Sequence, residues 1–338
     1  MHVADPHEQR VEKTIVLSVQ DATALGEQAL QNIGFSREEA RIIAANLVDA
    51  ELCGYRALGL PRILTIAEHP RMKKARSPLK IVHETPVSAL IDGGNHIGFY
   101  AVHRGTEMAI EKARTNRFAL VGIHNSYMSG RNAYYLEMIA RAGFVGMHLA
   151  CGGPVVVPLG GMTNAFGTNP IAFGLPGEPD PMIFDMATSA LNSGDVILAE
   201  RLKQLLPEGA AIDASGLATR DPAAVRAGGG ILPFGGHKGY GLSLTIQALC
   251  LLAGAALPQG RVQEAAFLFV VFDPGLLIPA EQFKQYLADL LECVRSTPRQ
   301  PGVDEIRIPS ERAFRDRARR RVEGIAFERR LYDRIKAL

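Results

Sequence analysis

Between Gly143 and Pro181 the chain meets a glycine or proline every few residues and is threaded by short apolar runs, VGMHLA, VVVPL and IAFGL. Proline has no N–H to continue a helix and glycine weakens one, so this stretch must fold as short strands joined by tight turns. Side chains this small suit strand ends that approach a ligand closely. The plainer reading of the same residues is a β-rich layer with tight turns.

The flanking sequence is largely helical. Residues 21–53 carry apolar residues at three- and four-residue intervals, and Ser36 with Glu39 forms a capping-box pattern, so two helices are expected. LKIVHETPVSALIDGGN, residues 79–95, reads as a strand pair. A helix over 101–115 follows, then the strand FALVGIH, which ends in HNSYMSGRNAYY and a helix over 132–142. A strand that hands over to a helix through Gly130 is a common seat for phosphates or a carboxylate. Residues 207–230 read as a surface excursion, a lid or spacer. From Gln282 the chain is helical, with a turn over 297–302, and no internal repeat is found.

Of the 338 residues 47% are hydrophobic, enough for a large core divided between two domains. A net charge of +2 offers no whole-protein field for nucleic acid or an anionic membrane. The basic run ERAFRDRARRR, Glu311 to Arg321, reads first as a solvated helix face and second as a phosphate or acidic-partner contact. Cys53, Cys151, Cys250 and Cys293 lie far apart without zinc-ligand spacing, so neither disulfides nor a metal site is expected. The polar N-terminus MHVADPHEQRVEK supports no targeting peptide. The apolar run Gly241–Leu257 contains Ser243, Thr245 and Gln247 and reads as a buried core helix rather than a membrane span. A cytoplasmic protein is expected.

Neither G-x-G-x-x-G after a strand nor G-x-x-x-x-G-K-[ST] occurs, and H-E-x-x-H and G-x-S-x-G are missing too. Three stretches ask for more than a structural account. GGMTNAFGTNPIAFGLP (160–176) combines permissive glycines with Thr168 and Asn169, and FDMATSALNSGD (184–195) is an apolar strand ending in polar residues. LPFGGHKGYGLSL (232–244) opens an apolar helix with His237 and Lys238, an imidazole and an ammonium beside helix-start N–H groups. Together they suggest an extended anionic cofactor along strand ends.

GTNPIAFGLP, FDMATS, LPFGGHKGYGLSL, the earlier PVSALIDGG and the late IRIPSER, in that order, resemble the malate/L-lactate dehydrogenase family of non-Rossmann oxidoreductases. The resemblance runs from about Gln20 to the C-terminus. It implies an α/β fold of mixed or antiparallel sheet with flanking helices, a homodimer, and bound NAD or NADP. Hydride would pass between nicotinamide and a small keto, hydroxy or cyclic imino acid. Two domains are expected: a discontinuous helical, substrate and dimerisation domain of residues 14–124 with 301–338, and an NAD(P)-binding domain over 125–300. The resemblance places Gly152, Met186, Ala187, Thr188, His237 and Lys238 at the cofactor, along with the turn Met128, Ser129, Gly130, Arg131 and Asn132. Ser310, Glu311 and Arg312 resemble a late Gly-Glu-Arg turn that closes over it, with Ser310 in place of the glycine. Thr168 and Arg62 resemble substrate contacts, Arg62 holding a carboxylate, and Asp195 falls where an acid supports the proton relay.

Two departures bear on chemistry. Members carry Ser-His-Gly before that arginine, where this chain has Ala57, Leu58 and Gly59. They carry Asn-Ser-x-His-x-Gly at the strand end, where this chain has Asn125, Ser126, Tyr127, Met128, Ser129 and Gly130. General acid catalysis contributes about 10²- to 10⁴-fold, and neither Leu58 nor Met128 can supply it. One explanation is a different substrate, with the proton from Tyr127, His124, Tyr55 or a water held by Asp195. Leu58 and Met128 would then line the pocket, and Arg56 or Arg131 would join Arg62. The other is a cofactor- or metabolite-binding protein that has lost catalysis. The first is the working expectation, with a small-molecule substrate and no nucleic-acid or membrane partner.

Overall fold

The computed structural model describes residues 14–257, 260 and 264–338; the reading of MHVADPHEQRVEK lies outside the described residues. Two compact units are present, one running to Ala75 and resuming over Glu311–Leu338, the other spanning Arg76–Ser310.

The first unit contains β1 (Thr14–Leu17) and helices α1 (Val19–Asn32), α2 (Arg37–Leu52) and α3 (Arg62–Glu68). The second contains β2 (Lys80–Thr85), β3 (Ser88–Asp92), α4 (Gly98–Asn116), β4 (Phe118–Ser126), α5 (Asn132–Arg141) and β5 (Val145–Cys151). It continues with β6 (Ile171–Leu175), β7 (Met182–Met186), α6 (Ser193–Leu202), β8 (Ala211–Ile212), α7 (Pro222–Arg226), β9 (Gly230–Ile231) and α8 (His237–Cys250). Strand β10 (Ala265–Phe272) and helix α9 (Ala280–Arg295) follow, and α10 (Glu311–Glu323), β11 (Ile325–Glu328) and α11 (Arg329–Lys336) complete the first unit.

In the first unit the expected capping box forms. Ser36 N donates to Glu39 Oε2 at 2.8 Å and Glu39 N to Ser36 Oγ at 3.2 Å, a cap worth about 1 kcal/mol. It starts α2, whose Ile42, Ile43, Leu47 and Val48 are buried. Strand β1 pairs antiparallel with β11, bringing Leu17 opposite Ile325.

The second unit is built on a seven-stranded sheet of order β2-β3-β4-β10-β5-β6-β7. Only β3 and β4 run parallel; each other neighbouring pair is antiparallel. Its register fixes the site. Ser126, ending β4, faces Ala265, the start of β10, and Ala266 faces Cys151, the end of β5. Leu149 of β5 faces Ile171, the start of β6, which faces Met186, the end of β7. Turns 127–132, 152–170 and 187–192 therefore leave one end of the sheet.

Three expectations are corrected. Position 124 falls inside β4, a strand bonded to β3 and β10, so residues 76–124 group with the second unit and not with the helices before them. Residues 207–230 are no bare lid: Ala211, Val225 and Ile231 pack with Val156, Phe166 and Val196 in a core of their own. Helix α8 is only half buried. Ser243, Ile246, Gln247 and Cys250 face inward, while Leu244 and Leu249, and Leu251 and Leu252 beyond its end, are exposed. Among the described residues no helix is long and apolar enough to cross a membrane.

Candidate active site

The opening turn of the site is held by backbone. Gly98 N donates to Tyr127 O at 2.6 Å and Phe99 N to Met128 O at 3.1 Å, so the start of α4 receives the end of β4. Met128 takes a left-handed conformation, φ 56°. Ser129 O accepts from Tyr135 Oη at 2.6 Å. Ser129, Arg131 and Asn132 are all buried. The start of α5 is closed by a carboxylate of the FDMATS motif, Ala133 N donating to Asp185 Oδ2 at 2.9 Å. Burial pushes the Asp185 carboxyl up, while Ala133 N–H and the Arg131 guanidinium pull it down. This helix start, expected as a seat for phosphates, is occupied by the protein's own acid.

The three motifs singled out by composition interlock at Thr188. Its N–H donates to Thr168 O at 3.0 Å and its hydroxyl to Thr168 O and Asn169 O at 3.1 and 3.0 Å. Thr188 O accepts from Phe234 N at 2.9 Å, and Gly239 N donates to Phe234 O at 2.8 Å. Asn169 Nδ2 donates to Ser243 O and Gln247 Oε1 of α8 at 3.1 and 3.2 Å. A Cβ on Gly239 would lie 2.1 Å from Phe234 O and 2.6 Å from Thr188 O. The loop thus needs glycine, and it leaves His237 and Lys238 exposed at the first turn of α8. Gly152, at the end of β5, has open space where a side chain would stand. Ala187 is partly buried beside Thr188, and Thr168 keeps its side chain partly exposed.

The remaining candidates are dispersed. His124 lies against Gly254, beyond the far end of α8. A 14-residue helix is about 21 Å long, so His124 is not brought to the loop of His237 and Lys238. Asp195 Oδ2 accepts from Asn192 N and Asn192 Nδ2, both at 3.1 Å, closing a capping box on α6. Ser310 adopts φ 76°, the conformation expected of the glycine it replaces, and its hydroxyl donates to Ile183 O. Among the described residues no group of three or more His, Cys, Asp or Glu could hold a metal. Cys151 and Cys250, distant in sequence, pack in one apolar cluster between β5 and α8, Cys151 Sγ donating to Glu264 O at 3.9 Å and Cys250 Sγ to Ala266 O at 3.8 Å.

In the first unit, the turn after α2 carries the substrate candidates. Arg56 to Leu58 form a short 3₁₀ turn, and Arg62, whose N–H donates to Gly59 O at 2.9 Å, opens α3. Arg56 pairs with Glu328, and Arg131 is buried in the second unit beside Asp185. Arg312 Nη1 donates to Asp316 at 2.9 Å and to Cys53 O at 3.4 Å, and its guanidinium lies 5.2 Å over Tyr55. Glu311 sits in the first turn of α10, where a carboxylate favours the helix dipole. The basic run is therefore partly structural: Arg317 pairs with Asp49 at 2.9 Å, and Arg320 Nη1 donates to Glu51 O and Leu52 O, capping the end of α2.

Two functional-type residues escaped the sequence reading. His148, in the apolar run VGMHLA, is fully buried against Phe269 with neither ring nitrogen hydrogen-bonded, and burial lowers its pKa to about 3. Glu51 is 2% exposed, and burial raises its pKa from 4.5 to about 7 against the pull of Arg56, Leu60 N–H and Arg320. An acid raised on folding stabilises the fold fully below pH 4.5 and loses that contribution as pH rises through about 7. At about 1.4 kcal/mol per unit the loss is about 3 kcal/mol. Glu51→Gln carries no charge and is expected to lose less stability to urea than wild type between acid and mildly alkaline buffer. Parallel losses in the two proteins would contradict this assignment.

Comparison with known proteins fits this arrangement. The malate/L-lactate dehydrogenase family matches residues 17–336. A malate/(S)-sulfolactate dehydrogenase of Methanothermus fervidus is 31% identical over 96% of this chain and 97% of its own. A Delta(1)-pyrroline-2-carboxylate/Delta(1)-piperideine-2-carboxylate reductase of Pseudomonas putida is 33% identical over 93% and 94%. The crystal structure of malate dehydrogenase from Entamoeba histolytica superposes with a TM-score of 0.86 at 25% identity, covering 96% of this chain and 97% of that one. The chain belongs to the malate/L-lactate dehydrogenase family. It is an oxidoreductase that uses NAD or NADP.

Proposed function

We propose that the protein transfers hydride between NAD(P) and a small carboxylate-bearing keto, hydroxy or cyclic imino acid, using an atypical proton donor. The observation that carries this reading is the interlocking of the Thr168, Thr188 and Gly239 segments at one sheet end, with His237 and Lys238 exposed at the start of α8. The Lys238 ammonium, the His237 imidazole and the α8 N–H groups suit a pyrophosphate or ribose phosphate, and the open space at Gly152 suits a flat ring or sugar. Bound there, the dinucleotide supplies or accepts the hydride.

The chain's own residues bind the substrate and handle its proton. Arg62 offers a planar fork to a carboxylate, and the family resemblance gives Thr168 a substrate contact. Leu58 and Met128 hold no proton and favour an apolar substrate group. Of the candidate acids, Asp195 is tied to Asn192, and Tyr55 lies under Arg312. Tyr127, buried just past the end of β4 with its carbonyl held by Gly98 N–H, is the proposed donor to a carbonyl oxygen. A cyclic iminium arrives protonated and needs no such donor. Tyr127→Phe is therefore expected to lower kcat for keto acids about 10²-fold while sparing cyclic imines. A keto-acid kcat unchanged from wild type, or the same fold-loss on cyclic imines, would remove Tyr127 from the mechanism.

The exposed leucines Leu244, Leu249, Leu251 and Leu252 support a homodimer, since an apolar patch of this kind marks an interaction surface. We assign dinucleotide binding to the strand-end half of the chain, substrate capture to the unit carrying Arg62, and the whole to the cytoplasm, as three buried free thiols favour a reducing compartment.

A further inference from the structure

Glu51 sits in the last turn of α2, where the helix dipole disfavours an anion. Burying a carboxyl in such a place costs free energy unless the group does something for the fold or the site. Its main-chain oxygen is already served by Arg320 Nη1 at 2.8 Å, and Arg320 also reaches Leu52 O at 3.1 Å. The carboxyl itself turns to the next segment: Oε1 accepts from Leu60 N at 2.9 Å, nine residues on. Leu60 is fully buried, its side chain lies against the position of a Cβ on Gly26, and its carbonyl accepts from Ile63 N at 3.0 Å. The carboxyl also fills the space above Gly59, where a Cβ would lie 2.2 Å from Oε1 and 2.5 Å from Cδ. Gly59 has φ −91°, which any residue can adopt, so it is small because Glu51 is there and not because the backbone demands it.

We propose that Glu51 is the positioning residue of the substrate arginine: by holding Leu60 N–H it fixes where α3 begins, and hence where Arg62 stands for a carboxylate. This inference rests on Arg62 being the carboxylate partner proposed above. The charged groups facing Glu51 are Arg56 on the 3₁₀ turn and Arg320 on α10, with the Asp49–Arg317 pair one half-turn away on α2. Neither arginine replaces the bond to Leu60, because both are donors.

Three variants of the full chain test it. Glu51→Asp is one methylene too short for Leu60 N, Gly59→Ala drives a methyl onto the carboxyl, and Glu51→Gln keeps an acceptor oxygen at full length. Amide hydrogen exchange over residues 58–63 should quicken about tenfold in Glu51→Asp and Gly59→Ala, and stay near wild type in Glu51→Gln. KM for the carboxylate substrate should rise about tenfold in the first two with kcat held within about twofold, and Glu51→Gln should restore it. NADH affinity should be the same in all four proteins. Unchanged exchange and KM in Glu51→Asp and Gly59→Ala would overturn the proposal, as would a Glu51→Gln protein that remains folded without restoring either. If wild type turns over no carboxylate at all, the functional reading fails, and the exchange measurement still decides whether Glu51 holds the turn.

Discussion

Alanine at Gly239 is expected to abolish NAD(P)H binding while leaving the seven-stranded sheet folded. The new Cβ would stand 2.1 Å from Phe234 O and 2.6 Å from Thr188 O, both main-chain atoms that cannot swing aside. Relief requires breaking Gly239 N to Phe234 O, at 2.8 Å, and displacing Phe234 from Thr188, at 2.9 Å. Overpacking of this kind costs about 3 kcal/mol, and the displaced segment is the one that presents His237 and Lys238. Dinucleotide affinity should fall at least about 10²-fold, since about 1.4 kcal/mol is tenfold. Fluorescence titration with NADH and NADPH checks this, alongside a thermal melt to show that the protein stays folded. A folded Gly239→Ala protein that binds like wild type would place the cofactor elsewhere.

The second large effect is expected at Arg62. Removing its guanidinium by Arg62→Ala should lower kcat/KM for a keto or imino acid by about 10²- to 10³-fold, because charge-assisted hydrogen bonds to a carboxylate are worth about 1.5–3 kcal/mol each. Arg62→Lys keeps the charge but loses the two-pronged geometry, so recovery should be partial. Dinucleotide affinity should not change in either variant. The discriminating readout is a neutral ketone or an ester of the same substrate, on which wild type and Arg62→Ala should act equally poorly. A kcat/KM for the acid that survives Arg62→Ala would remove the carboxylate clamp from the account.

Much of this was legible in the sequence because the signals were local. The capping box at Ser36 and Glu39, the strand pair over 79–95 and the glycine- and proline-broken stretch after Gly143 each depend on neighbours a few residues apart. The family likeness rested on collinear motifs, and three of them meet at Thr188.

What could not be read depends on long-range geometry. Nothing in FDMATS says that Asp185 will close the start of α5, 52 residues earlier. Asp195 pairs with Asn192 in a local cap that the Asn-x-x-Asp spacing already allows. Insertion of β10 between β4 and β5 brings Cys250, ahead of β10, beside Cys151, and separation along the chain hid that. Residues 207–230 looked like surface by composition, but alanine, valine and isoleucine are enough to pack a small core against Val156 and Phe166. His124 lies against Gly254 and apart from the loop of His237 and Lys238, because α8 passes over the sheet with its start at Thr188 and its end near Gly254.

The central claim is tested most directly by titrating the wild-type protein and Lys238→Ala with NADH and NADPH, following nicotinamide fluorescence. Saturable binding of at least one dinucleotide to wild type, weakened about tenfold or more when the Lys238 charge is removed, is the predicted result. Failure of both dinucleotides to bind the wild-type chain, or binding that ignores Lys238 altogether, would contradict a cofactor held along these strand ends.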